Sequence, residues 1–241
     1  MVVALSNVFG MNELPSGPTE GAGPPPPSPT DVAPWLLPVG IPLERLFLPR
    51  LYGFRVRGRE RLPAKGGVLL VLNHNADCDP AFVTLACSPR TTLYLGAARH
   101  FANPALGWLL SGLGGIPLHT DRPDVVALRR ARGHLAAGRL LAVFPEGAPS
   151  FSDRVAPFRG GVGLLALTPG VAVVPAALWG THRVVRRSLP IGRGPVRMAF
   201  GTPLALPTGG SRRERADRVA NDCREAIRTL LAPLVAADPP R

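Results

Sequence analysis

Asn73-His74-Asn75-Ala76-Asp77-Cys78-Asp79-Pro80 places an imidazole, two carboxylates, two carboxamides and a thiol within eight residues. A histidine with an aspartate five positions on can fold back across a turn. The carboxylate then keeps one ring nitrogen protonated and leaves the other free to take a proton. Asp79 suits that role, and Asp77, three positions on, competes for it. A plainer reading makes Asp79 an N-cap ahead of Pro80 at the first helical position, with His74 a polar strand end. A second chemical cluster is Phe144-Pro145-Glu146-Gly147. Pro145 ends a strand and Gly147 permits a tight turn, so Glu146 lies at a strand edge, as His74 does. Cys78 has no dedicated base and reads as a buried structural thiol. His119 reads as a solvated loop residue.

The elements that must hold these residues alternate. Val68 to Leu72 is an unbroken aliphatic run, the mark of a buried strand, and it ends at Asn73-His74. A helix follows through about Ala86. Leu93–Ala97 is the next strand, Asn103-Pro104 caps a short helix through Leu110, and Ile116–Leu118 is a brief strand. Asp124 opens a helix closed by Gly138, Leu140–Phe144 is a strand, and Gly160–Leu167 is helical. Val171–Leu178 and Val196–Phe200 are strands. Ser211 and Glu214 form a capping box, and Val219, Cys223, Ile227, Leu230 and Leu234 share one face of the helix behind it. The pattern predicts an α/β fold over 63–237: a single domain with a central, largely parallel or mixed β-sheet flanked by helices. Ligands of such sheets bind where strands end and helices begin, as at His74.

Residues 1–33 contain the run Pro24–Pro27 among glycines and serines, and read as a disordered N-terminal tail. Residues 34–62 interleave Trp35, Leu36, Leu37, Leu43, Leu46, Phe47, Leu48 and Leu51 with Arg45, Arg50, Arg55, Arg57, Arg59 and Arg61. Pro38, Pro42 and Pro49 predict short helical pieces there. Apolar and arginine residues so mixed suit either a membrane-proximal segment against anionic headgroups or an ordinary packing helix.

The formal net charge of +12 is carried almost wholly by arginine, Lys65 being the only lysine. Such a charge favours partners that bear phosphate. With 46% hydrophobic residues the chain can build a core, which excludes wholesale disorder. Dispersed arginines and 6% aromatics argue against a nucleic-acid module. Three cysteines with no C-x-x-C pair make neither a disulfide framework nor a zinc site, and suit a reducing cytoplasmic compartment. No signal peptide or membrane-spanning run is recognisable. A serine hydrolase is disfavoured because G-x-S-x-G is absent, and a nucleotide site because neither G-x-G-x-x-G nor a P-loop is present.

Asn73-His74-x4-Asp79 resembles the first motif of the glycerolipid acyltransferases, the family of 1-acylglycerol-3-phosphate acyltransferases. Further blocks follow in the family's order. Gly114–Leu118 resembles the second motif, Phe144–Gly147 the third, and Pro157-Phe158-Arg159-Gly160 the basic segment after it. Val174–Leu178 resembles the fourth motif and Phe200–Leu204 the closing turn. The resemblance implies a general base, His74, oriented by Asp79, that activates an acceptor hydroxyl for direct attack on an acyl thioester. It implies no metal or redox cofactor, with acyl-CoA or acyl carrier protein as co-substrate. It places Thr120, Arg122, Glu146, Gly147 and Arg159 in the binding of a lysophospholipid-like acceptor. It also implies a peripheral protein meeting membrane phospholipids on the cytoplasmic face.

Two departures bear on the acceptor. The third motif usually continues Glu-Gly-Thr-Arg, but here reads Glu146-Gly147-Ala148-Pro149-Ser150. The second usually has arginine where Thr120 stands, with Arg122 two residues late. Those arginines would hold the acceptor's phosphate, for which a bidentate guanidinium is suited. The alternatives are an acceptor without a phosphomonoester, another lysolipid or a glycolipid, and a catalytically inactive lipid-binding relative. Nothing in the sequence sets an oligomeric state.

Overall fold

Leu69 and Val71 point to one side of a buried strand and Val68, Leu70 and Leu72 to the other, and all five are fully buried. This strand, β2 (Val68–Leu72), lies at the centre of a seven-stranded sheet in a computed structural model. The structure describes residues 36–237 apart from 120–123, 159–160, 187–188, 191 and 193. The tail assigned to 1–33 lies outside the described residues.

The other strands are β1 (Arg55–Arg57), β3 (Thr92–Ala97), β4 (Gly115–Leu118), β5 (Leu140–Val143), β6 (Ala172–Trp179), a small hairpin of β7 (Val185–Arg186) with β8 (Leu189–Pro190), and β9 (Arg197–Phe200). The main sheet runs β1-β9-β6-β2-β5-β3-β4. Every pairing is parallel except β6 with β9. The fold is therefore a single mixed α/β domain. Parallel strands covered on both faces read as continuous aliphatic runs, which is why β2, β5 and β6 were visible in the sequence.

Helices fill both faces. On one side α4 (Val125–Ala136), α5 (Val162–Ala166) and α7 (Arg212–Ala236) bury Ala131, Leu135, Leu165, Val219, Cys223 and Ile227 against Leu69, Val71, Leu141 and Trp179. On the other, α2 (Asp79–Cys87) buries Phe82, Val83 and Ala86 against Leu70, Leu72, Leu178 and Phe200. Each fully buried leucine or phenylalanine contributes about 1.5–3 kcal/mol of transfer free energy. The capping box of α7 is complete, with the Glu214 amide donating to Ser211 Oγ and the Ser211 amide to the Glu214 carboxylate. Asn103 caps α3 (Pro104–Gly112), accepting from the amides of Ala105 and Leu106.

Two local expectations are corrected. Residues 36–52 form one 17-residue helix, α1 (Leu36–Tyr52), that continues through Pro42 and Pro49. Each proline removes one backbone hydrogen bond, and tertiary contacts offset that loss. Leu48 and Tyr52 pack on the second core, Tyr52 meets Phe82 edge-on at 5.9 Å, and Arg45 Nη2 donates to Ser88 Oγ at 2.6 Å. The second correction is β1. Arg55-Val56-Arg57 turns its arginines outward and Val56 toward the core, and pairs in parallel with β9 at the sheet edge.

Candidate active site

β2 ends at Leu72, and the next residues form a bend rather than a helix because their polar groups find partners across the sheet. Asn73 Nδ2 donates to the Leu178 carbonyl (2.8 Å) and to Asn75 Oδ1 (2.7 Å), and Asn73 Oδ1 accepts the Leu178 amide (2.9 Å). Asn75 Nδ2 also donates to the Leu178 carbonyl, at 3.1 Å. Both asparagines are buried, so these bonds are required rather than ornamental. They fix the bend to the end of β6 and set the direction in which His74 leaves it.

Asp79 is the partner of His74, with Oδ2 2.8 Å from Nδ1. The same oxygen accepts the amides of Asn75 (2.6 Å) and Ala76 (3.1 Å). This corrects the simpler reading of Asp79 as N-cap. Cys78 holds that position without a side-chain bond, and Asp79 opens the helix with its carboxylate turned back toward the preceding bend. Because Oδ2 faces amide donors it acts as an acceptor, which assigns the proton to His74 Nδ1. Nε2 is then the basic nitrogen, and among the described residues nothing hydrogen-bonds to it. Asp79 is fully buried while the His74 side chain is 15% exposed, so the pair has a closed end and an open one. Asp77 is exposed and does not join it.

The segment after β5 grips His74 from the other side. The Phe144 ring stacks on the imidazole with centroids 4.4 Å apart at 24°. Glu146 Oε1 accepts the His74 amide at 2.8 Å and Oε2 accepts the Ala156 amide at 3.1 Å. Burial raises the Glu146 pKa, while those two amides and the nearby His74 draw it back down. Gly147 turns the chain with φ 78°, its amide bonded to the Phe144 carbonyl at 3.0 Å. Ser150 then donates to the His74 carbonyl twice, from its amide at 2.8 Å and from Oγ at 3.0 Å. Phe151 follows with φ 48°, a left-handed conformation uncommon for a bulky residue, and its amide donates to the Asn75 carbonyl.

His74, Asp79, Glu146 and Gly147 are thus brought together. Thr120, Arg122 and Arg159 lie outside the described residues. Phe144 and Ser150 were quoted from the sequence only as parts of a motif, and their contacts with His74 were not foreseen, since that partner lies some seventy positions earlier in the chain. Asp153 carries this loop on to a neighbouring cluster, pairing with Arg183 at 2.8 Å and approaching His182 Nε2 at 3.5 Å. The Arg183 guanidinium sits 4.6 Å from the Trp179 ring centroid. Cys78 is buried, and desolvation with the nearby Asp79 and Asp77 carboxylates raises its pKa far from the reactive range. Among the described residues no group of three or more His, Cys, Asp or Glu could hold a metal ion.

The model of the family described as "Acyltransferase" matches residues 53–179, which contain every residue of this constellation from Asn73 to Leu178. The chain belongs to that acyltransferase family. Among its relatives is a chloroplastic 1-acyl-sn-glycerol-3-phosphate acyltransferase of Arabidopsis thaliana, 30% identical over 181 residues. That match covers 73% of this chain and 48% of the relative. A 1-acyl-sn-glycerol-3-phosphate acyltransferase of Bacillus subtilis is 24% identical over 152 residues, covering 63% of this chain and 74% of the relative. The chain spans about half the length of the plant relatives it matches. In fold, this family member is similar to the crystal structure of the 1-acyl-sn-glycerophosphate acyltransferase of Thermotoga maritima. The TM-score is 0.60 at 24% identity, over 78% of this chain and 76% of the other.

Proposed function

We propose that this chain transfers a fatty acyl group from an acyl thioester, acyl-CoA or acyl carrier protein, to a hydroxyl of a lysophospholipid-like acceptor. The observation that carries the reading is the His74–Asp79 pair, with Nδ1 held at 2.8 Å by a buried carboxylate and Nε2 at the open end. Nε2 takes the proton of the acceptor hydroxyl as its oxygen attacks the thioester carbonyl carbon. The tetrahedral intermediate then collapses with cleavage of the C–S bond. The thiolate leaves and takes its proton from the imidazolium, so the products are an ester and a free thiol. No acyl-enzyme and no resident cofactor enter these steps. Positioned base catalysis of this kind typically contributes about 10²–10⁴-fold. The names of the relatives support 1-acylglycerol-3-phosphate as acceptor.

A specific observation also favours a second acceptor class. Ala148-Pro149 stand where the resemblance leads one to expect Thr-Arg, so that position supplies no guanidinium for a phosphomonoester. A lysolipid whose phosphate is already a diester, or a glycolipid, fits that change.

We place the protein at a membrane surface, on its cytoplasmic face. On α1, Leu46, Phe47 and Leu51 are about half exposed beside exposed Arg45 and Arg50, a pairing suited to acyl chains and anionic headgroups. Among the described residues no helix is long and apolar enough to cross a membrane. The test is incubation of purified protein with a thioester donor and a panel of lysolipids, read by mass spectrometry. Acylation that depends on His74 supports the reading, and no acylation of any acceptor refutes it.

A further inference from the structure

Glu146 lies 72 positions from His74 in the chain, yet both of its carboxylate oxygens end on chain amides. Oε1 accepts from His74 and Oε2 from Ala156, and the residue is only 6% exposed. A side chain engaged in this way faces the backbone rather than a ligand. Two N–H donors meet it, one at each oxygen, and only a carboxylate offers an acceptor oxygen to each. A glutamine would turn its NH₂ toward one of the two amides. Ser150 completes the grip by donating from both its amide and its hydroxyl to the carbonyl of the same histidine. The peptide groups on either side of the His74 Cα are thus both fixed by one short segment, Glu146–Ser150, whose neighbour Phe144 stacks on the ring.

We propose that Glu146 and Ser150 are positioning residues that act through the backbone of His74, and that Glu146 is not a ligand of the acceptor. This role rests on the acyl-transfer reading above, and it replaces acceptor binding as the part played by Glu146. A base held by its ring alone could swing about the chain, and a misplacement near 1 Å costs about 10²-fold in rate. Clamping the N–H and the C=O of His74, with Asp79 at Nδ1 and Phe144 on the ring, leaves Nε2 with a single direction. The carboxylate of Glu146 lies near the His74 imidazole, whose field lowers the Glu146 pKa against the larger effect of burial. The other charged groups about this imidazole are Asp79 at Nδ1 and Asp77 on the same bend. His182 on the helical turn α6 (Thr181–Val184) lies within the field of Asp79.

The experiment is steady-state kinetics of the full chain with whichever donor, acyl-CoA or acyl carrier protein, and whichever acceptor, 1-acylglycerol-3-phosphate, lysophosphatidylglycerol or a glycolipid, gives acylation. The variants are Glu146→Gln, Ser150→Ala and Ser150→Thr, with His74→Ala as the reference for the chemistry. Glu146→Gln is expected to lower kcat about 10–100-fold while the acceptor KM stays within about threefold, the split left by an interaction that serves the transition state alone. Ser150→Ala, which keeps the amide bond, lowers kcat about threefold, and Ser150→Thr restores the hydroxyl donor and most of the rate. If Glu146→Gln does not fold, the two Ser150 variants decide by the same split. A rise of about tenfold or more in acceptor KM with kcat retained would overturn the positioning role, because it marks direct acceptor contact. Loss of kcat in Ser150→Ala that Ser150→Thr leaves unrestored would overturn it too. An inactive wild-type protein overturns the acyl-transfer reading and this role with it. An active wild type with an inactive His74→Ala leaves only the positioning role at stake.

Discussion

Asp79 Oδ2 lies 2.8 Å from His74 Nδ1 and accepts two backbone amides at the same time, so the carboxylate is anchored before it meets the imidazole. Asp79 cannot rotate away without leaving the buried Asn75 and Ala76 amides unpaired. Asp79→Asn breaks this arrangement in either amide orientation, by presenting NH₂ to the donors or by keeping an oxygen without the charge. The expected loss in kcat is about 10²-fold or more, with little change in acceptor KM. Release of the thiol from acyl-CoA, followed with a chromogenic thiol reagent, checks it.

The packing of α5 on α7 depends on one missing side chain. A Cβ on Gly163 would collide with the backbone carbonyl of Ala216, whereas a Cβ on Gly133, within α4, meets nothing within 4 Å. Gly163→Ala should therefore destabilise the fold by about 1–3 kcal/mol through overpacking. Gly133→Ala should stabilise it by about 0.5–1 kcal/mol through backbone entropy. Urea unfolding of the two variants beside the wild type measures both signs in one experiment.

Glu146 also makes a stability prediction. Burial raises its folded pKa above the ordinary value of 4.5, so the native state holds this proton longer than the unfolded chain does. Its contribution to stability is fully present below pH 4.5 and is lost as pH rises through the raised folded value. Glutamine does not titrate. The stability deficit of Glu146→Gln relative to wild type should shrink as pH rises across that window, as read from thermal melts in a pH series. A constant difference would contradict the burial effect.

Cysteine chemistry gives a negative control. Cys78, Cys87 and Cys223 are all buried, and burial pushes the thiols of Cys87 and Cys223 up to about 12. None should react with a thiol reagent at neutral pH until the chain is unfolded. Cys78→Ala should keep its rate within about threefold of wild type, because the residue lies in the motif but holds no reacting atom. A collapse in rate with the fold intact would point to a nucleophilic thiol.

What could be read from the sequence was what is local. The aliphatic runs of β2, β5 and β6, the Asn103 cap and the Ser211–Glu214 box each depend on neighbours a few positions away, and all stand in the structure. The pairing of His74 with an aspartate five residues on was legible for the same reason. Spacing alone left Asp77 in competition with Asp79 and only the family resemblance favoured Asp79, because the choice depends on how the bend after Leu72 is pinned to Leu178 across the sheet. Helix α1 defeated the proline rule because Leu48, Tyr52 and Arg45 meet partners on and beyond α2. The grip of Glu146 and Ser150 on His74 was hidden in the same way: a glutamate after a strand does not reveal which distant amide it will meet.

The most direct test of the account is a paired acyl-transfer measurement on wild type and His74→Ala, verified as folded by circular dichroism. Acyl-CoA or acyl carrier protein is supplied as donor, with 1-acylglycerol-3-phosphate beside lysolipids that lack a phosphomonoester. The account predicts a diacylated product from at least one acceptor with the wild type, and a rate lower by about 10²–10⁴-fold with the variant. Equal rates from the two proteins, or no acylated product from the wild type with any pair, would contradict it.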